Sequence, residues 1–185
     1  MNGSQAAEHS EGASARSVVL VTGMSGSGKS TVLAELKRRG HRVIDTDDPG
    51  WIVETHTASG PEQLWDLEQI TVLIDGHRTG WLFIAGCVAN QGAVYDRFDA
   101  VVLLSAPVDV ILDRVADRAN PFGSTAEERT KIAKDLAAFE PRLRAGADRE
   151  IVTTAPIREV VATLEQVASG ASHREPLRSR RAHRT

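Results

Sequence analysis

A single cysteine, Cys87, stands in the 185 residues, which excludes an internal disulfide, and no Cys/His spacing resembles a zinc site. No apolar run reaches the roughly 18–20 residues that span a bilayer. The N-terminus lacks the basic-then-apolar pattern of an export signal, so the expectation is a cytoplasmic protein without a membrane partner. A formal net charge of −3 gives no reason to expect nucleic acid as a partner. No internal repeat is visible. The remaining composition, 41% apolar and 25% charged, is that of one ordinary globular domain with a sizeable core.

That domain is expected over residues 16–171. Residues 1–15 carry only small, polar and charged side chains without apolar periodicity, the pattern of a disordered leader. Residues 172–185 hold five arginines (Arg174, Arg178, Arg180, Arg181, Arg184) against one acid, Glu175. Such a tail can contact an acidic surface or simply fray, and the reading here is a disordered basic tail. Nothing in the sequence asks for more than a monomer or weak dimer.

The stretch that organises the rest is Gly23-Met24-Ser25-Gly26-Ser27-Gly28-Lys29-Ser30, followed by Thr31. It fits the phosphate-binding pattern G-x-x-x-x-G-K-[ST], the P-loop or Walker A loop. Val18-Val19-Leu20-Val21 before it reads as a buried strand. Val32, Leu33 and Leu36 after it share one helical face, with Gly40 as the C-terminal cap. In that setting the backbone N–H groups of the loop cradle phosphates, Lys29 meets the β- and γ-phosphates, and the Ser30 hydroxyl ligates Mg²⁺. The bland alternative is a Gly/Ser turn before a helix.

Downstream, strand and helix patterns alternate, which predicts a three-layer α/β/α sandwich around a five-stranded parallel sheet. The other strands are read at 42–44, 81–85, 100–105 and 151–153. Helices are read from Pro61 through Ile74, from Val108 through Val115, from Thr125 to about Phe139, and from Pro156 through Val167. Thr125 and Glu128 form a capping box. Ligands of such sheets lie beyond the C-terminal strand ends.

Three strand ends or loops there carry chemistry. Asp45-x-Asp47 is placed to serve Mg²⁺ or to orient an attacking hydroxyl, the alternative being a polar turn before Pro49-Gly50. Gly86 ends the neighbouring strand where many such proteins place an acid, so Asp45 becomes the candidate metal-assisting carboxylate. Cys87 has no activating neighbour in sequence and reads as a small packed residue. Asn90 and Gln91 either read a polar substrate or satisfy a turn. Arg114 and Arg118 project from one helical face into a loop with Pro121 and Gly123, a lid over about 119–130 that would bring charge to a transferring phosphoryl group. Arg129, Arg142 and Arg144 are further candidates for that clamp.

The order of these features, over about Val18 to Val167, is similar to that of shikimate-kinase-like members of the nucleoside/nucleotide kinase group. The resemblance implies a P-loop fold of the kinase type with a lid. It implies that Asp45 serves Mg²⁺, that Asp47 binds the acceptor hydroxyl, that Arg118 is the lid arginine, and that Thr153-Thr154-Ala155-Pro156 lies against adenine, with Thr154 and Pro156 as nucleotide contacts. The chain departs from shikimate kinases at Gly86-Cys87-Val88, where they have three glycines, and over Trp51 to Trp65. It also resembles actinobacterial AAA-type ATP-binding proteins through Asp-Thr-Asp and Ala-Gly-Cys-Val-x-Asn-Gln-Gly. The expected function is an ATP- and Mg²⁺-dependent kinase of a small-molecule hydroxyl, with Lys29, Asp47, Arg114 and Arg118 as catalytic groups. The alternatives are a nucleoside monophosphate kinase and a nucleotide-binding regulator or slow NTPase.

Overall fold

The computed structural model describes residues 15–57, 60–116 and 125–171. In chain order the elements are β1 (Ser17–Thr22), α1 (Lys29–Arg38), β2 (Arg42–Asp45), β3 (Ile52–Thr57), β4 (Gly60–Trp65) and α2 (Leu67–Gly76). They continue with β5 (Trp81–Ala85), a 3₁₀ segment at Gln91–Arg97, β6 (Ala100–Ser105), α3 (Val108–Ala116), α4 (Ala126–Gly146), β7 (Arg149–Val152) and α5 (Ile157–Ala171).

Five strands form one sheet in the order β2-β5-β1-β6-β7, and every pairing in it is parallel. Helices cover both faces, so the central strands are buried on both sides and read as unbroken apolar runs. Alternate residues of β1 divide between the layers. Val19 and Val21 pack with Leu33 and Leu36 of α1 and with Val161 and Leu164 of α5. Val18 and Leu20 pack with Ile70 and Ile74 of α2 and with Trp65, Tyr95 and Phe98. The expected sandwich is therefore the observed one.

The chain leaves α1 through the cap that Gly40 predicts. Gly40 has φ of 90°, its N–H donates to the Lys37 carbonyl at 3.0 Å, and His41 N–H donates to Leu36 at 3.1 Å. That pair of bonds is a Schellman ending. The capping box of α4 is also present, with Thr125 N–H and Glu128 N–H each bonded to the other's side chain.

Two expectations need correction. Residues from Pro61 do not open a helix: β3 and β4 form an antiparallel hairpin outside the main sheet, with Pro61 opposite His56. The helix starts only after Asp66, whose carboxylate caps it by accepting from the N–H groups of Glu68 and Gln69, both at 3.1 Å. Leu64 and Leu67 have helical spacing but straddle this joint. Helix α4 also runs past Phe139 and through Pro141 to Gly146. Its end packs Gly146 against the Tyr95 ring, where a Cβ would come within 2.6 Å.

Candidate nucleotide and acceptor site

β1 ends at the point where the glycine loop must turn back on itself. A side chain on Gly23 would run into the Leu104 carbonyl of β6 and the Ser27 hydroxyl, so only glycine lets the loop pass this close to the sheet. Gly28, at φ of 98°, is the N-cap of α1 and offers no side-chain acceptor. The first-turn N–H groups thus face outward without a capping side chain, which is the arrangement that receives an anion. Lys29 is largely buried, and its Nζ donates to the Gly23 carbonyl at 2.6 Å. With the exposed Ser30 it lines a cavity of about 240 Å³.

Asp47 lines the same cavity. It is placed there by the end of β2, where Asp45 pairs with Ala85 of β5. The Asp47 N–H donates to Asp45 Oδ1 at 3.1 Å, which orients the turn. Between them Thr46 turns inward, its hydroxyl donating to the Ala85 carbonyl at 2.9 Å and accepting from Trp65 Nε1 at 2.9 Å. Asp45 itself is half-buried and stands behind Asp47 as the acceptor of that N–H.

On the other side of the loop a cavity of about 400 Å³ lies between Gly26, Gly28, Thr31, Arg114 and the β7–α5 turn. Thr153 and Ala155 of that turn line it. Thr154 and Pro156 are exposed, and Pro156 starts α5 by accepting from Glu159 N–H at 2.8 Å. Arg114 is a bracket rather than a free arm. Its guanidinium donates to the Gly26 carbonyl at 3.3 Å, to Thr153 Oγ1 at 2.8 Å and to the Thr153 carbonyl at 2.7 Å. Thr153 Oγ1 lies 2.9 Å from the Ser27 carbonyl, so this one hydroxyl joins the turn to the glycine loop. Sequence reasoning missed Thr153 as a positioning residue; a buried threonine directly after a strand was the available signal.

Arg118 and residues 119–124 of the expected lid lie outside the described residues, while residues 125–130 begin α4. Of the other arginines, Arg129 faces Asp113 at 3.6 Å and Arg144 pairs with Glu140 at 2.6 Å and Glu150 at 2.8 Å. Arg144 and a 2.6 Å bond from the Ser105 hydroxyl hold the Glu150 carboxyl down at about 2.

The residues after β5 divide. Asn90 and Gln91 serve the structure: Asn90 bonds the Trp65 backbone, and Gln91 accepts from Thr22 Oγ1 at 3.2 Å and donates to Tyr95 Oη at 2.9 Å. Gly86 is required because a Cβ would meet the Trp65 ring at 2.6 Å. Cys87 is not packed away; it lines the Asp47 cavity and also a neighbouring one of about 460 Å³. Met24 is shared in the same way, so the two spaces meet beside the glycine loop.

Oxygen donors at Ser30, Asp47 and Asp45 are hard ligands of the kind Mg²⁺ takes. Among the described residues no group of three His, Cys, Asp or Glu side chains stands together as a metal cage. A donor set this sparse fits an ion bound largely through nucleotide phosphates and water.

Residues 19–133, from β1 into α4, match the AAA domain family. The chain belongs to that family. This AAA domain is 30% identical over 159 residues to a nucleotide-binding protein of Mycolicibacterium smegmatis, covering 83% of this chain and 53% of that protein. It is 30% identical over 143 residues to a nucleotide-binding protein of Mycobacterium leprae, covering 75% of this chain and 46% of that one. The chain thus spans about half the length of these relatives. Shikimate kinase from Acinetobacter baumannii, solved in complex with shikimate, shares the fold with a TM-score of 0.57 at 17% identity, over 85% of this chain and 96% of that one. Shikimate kinase from Bacteroides thetaiotaomicron does so with 0.56 at 16% identity, over 83% and 98%. The AAA domain is therefore a P-loop domain of kinase-like fold with nucleotide-binding relatives. Among its described residues no helix is long and apolar enough to cross a membrane.

Proposed function

We propose that this AAA domain is an ATP-dependent phosphotransferase acting on a hydroxyl of a small molecule. The observation that carries this reading is the junction of the two cavities. A carboxylate, Asp47, faces the space beside Lys29 and Ser30, and a second space opens from it past Met24 and Cys87. A nucleotide switch needs the first space but not the second.

In this reading the base lies in the cavity beside Arg114 and Thr153, and the β- and γ-phosphates lie on the glycine loop with Lys29. Ser30 and Asp45 would hold Mg²⁺, which would supply charge neutralisation to the phosphate oxygens. The acceptor hydroxyl oxygen bonds to the γ-phosphorus while the bond to the β–γ bridging oxygen breaks, and ADP leaves with that electron pair. Asp47 accepts the hydroxyl proton. Arg114 keeps the loop and the base turn in register, and we assign Arg118, outside the described residues, to the transferred charge.

A monophosphate kinase would need arginines around a phosphate acceptor, and the two between β2 and β6 are elsewhere. Arg97 bonds Asp75 at 3.2 Å, and Arg78 stands with His41 and Trp81 at the opposite end of the sheet. The regulator reading keeps one support, that the relatives named above are called nucleotide-binding proteins. Release of ADP from ATP alone and with a panel of hydroxyl compounds decides between them. Release that no compound accelerates would refute the phosphotransferase.

A further inference from the structure

The acceptor cavity is apolar over most of its wall, with Met24, Val88, Tyr95 and Leu143 on it. Phe139 also lines it and is 48% exposed, an aromatic ring left uncovered at a cavity rim. Among the described residues two charged side chains line this space, Glu62 from β4 and Arg142 from α4, and they are of opposite sign.

Both are free. Along β4, Pro61 and Gln63 are exposed, whereas Glu62 is half-buried and lines the cavity. Among the described residues, neither Glu62 nor Arg142 has a hydrogen bond or an ion pair, and they do not pair with each other. The neighbouring arginines of α4 differ, since Arg129 and Arg144 are committed to Asp113 and to Glu140 and Glu150.

Resting on the phosphotransferase reading, we infer that the acceptor is a zwitterionic hydroxyl compound: its ammonium group meets Glu62, its carboxylate meets Arg142, its apolar body lies on the ring and aliphatic wall, and its hydroxyl reaches Asp47. The charges argue for this class. A neutral polyol would leave both side chains unpaired, and a dianionic phosphate acceptor would face Glu62 with like charge. A ligand with one charge of each sign satisfies both. The hairpin β3–β4, outside the main sheet, is then the element that carries the amine specificity. Transfer on this substrate forms the oxygen–phosphorus bond at the hydroxyl, releases ADP and delivers the hydroxyl proton to Asp47; the ammonium group keeps its protons.

Two matched sets of compounds test the inference by ADP release. One is L-homoserine with 4-hydroxybutyrate and 3-amino-1-propanol. The other is L-tyrosine with 3-(4-hydroxyphenyl)propionate and tyramine. Glycerol is the neutral probe, and calorimetric titration of ATP is run on the same protein. The expected result is that a zwitterion exceeds both its analogues about tenfold or more in kcat/KM, the size of one lost charged hydrogen bond. Glu62→Gln should erase the preference over the hydroxy acid, and Arg142→Gln the preference over the amino alcohol, with ATP affinity within about twofold in both as the control for folding. Equal turnover of a zwitterion and its analogues, or a preference that survives Glu62→Gln, overturns the inference. If glycerol or a singly charged analogue is phosphorylated and the zwitterions are not, the inference falls and the phosphotransferase stands. If no compound releases ADP although ATP binds, both fall.

Discussion

The Asn90 side chain grips the Trp65 backbone at both its polar groups: Asn90 Nδ2 donates to the Trp65 carbonyl and the Trp65 N–H donates to Asn90 Oδ1, each at 3.0 Å. One amide thereby does what a neighbouring strand would do, at the place where the β3–β4 hairpin meets the end of β5. Trp65 then buries its ring against Gly86 and bonds Thr46. The hairpin is thereby fastened to the segment of Asp45, Thr46 and Asp47 at the end of β2.

Asn90→Ala should therefore cost about 1–3 kcal/mol, because it strands two partly buried backbone groups. Urea unfolding gives the cost, and hydrogen exchange across 52–65 should rise in the variant more than in β1. Uniform change in both segments would contradict the clasp.

Lys29→Ala should lose nucleotide binding and turnover while the circular dichroism spectrum stays that of the parent. Its ammonium bonds the Gly23 and Met24 carbonyls, and the side chain lines the cavity beside Ser30 and Asp47. Unchanged ATP affinity in the variant would end the nucleotide assignment.

Asp47→Asn and Asp45→Asn should behave differently. Asp47 faces the cavity, and loss of a general base slows transfer about 10²–10⁴-fold. ATP affinity should barely move. Asp45→Asn should instead weaken the dependence of ATP binding on Mg²⁺. Calorimetry at two Mg²⁺ concentrations separates the variants, and equal loss of ATP in both would move Asp47 into the metal site.

Arg114→Lys should fail to restore what Arg114→Ala removes. Three bonds to two loops leave the guanidinium in a fork that a single ammonium cannot reproduce. We expect ATP affinity to fall about tenfold in both variants, the effect of one or two lost bonds. Full affinity in Arg114→Lys would show that only the charge matters.

The Arg144–Glu150 pair predicts a specific acid sensitivity. Arg144, and after it Ser105, lowers the Glu150 carboxyl from 4.5 to about 2. A depressed acid contributes stability above its unfolded value and loses it as pH falls toward the folded one. Glu150→Gln should thus cost roughly 1 kcal/mol at pH 7, after solvent screening of a half-exposed pair. The gap in urea midpoint should close between pH 4.5 and about 2. A gap independent of pH would exclude this pair as its cause.

Local signals carried much of the reading. The glycine loop, β1 and α1 were legible because spacing, β-branched residues and caps act within a few residues. Thr125 with Glu128 is the same kind of signal, a cap complete within one turn. The parallel sandwich followed from alternating periodicities, since each burial pattern is a property of one segment. The hairpin was not legible: Pro61, Leu64 and Leu67 imitate a helical face, and what overrides them is Asn90, 25 residues away in sequence.

The sequence by itself determined that a glycine loop of the phosphate-binding pattern sits on a parallel α/β sheet and that Asp45 and Asp47 stand at the end of β2. Only the tertiary structure decided which side chains remain available to a ligand. Arg114 is spent on Thr153 and Gly26, and Asn90 on Trp65, each through a partner distant in the chain. Availability is what is left after such long-range bonds form, and no local pattern encodes it. Folding brings Glu62 and Arg142 to one cavity from elements 80 residues apart for the same reason.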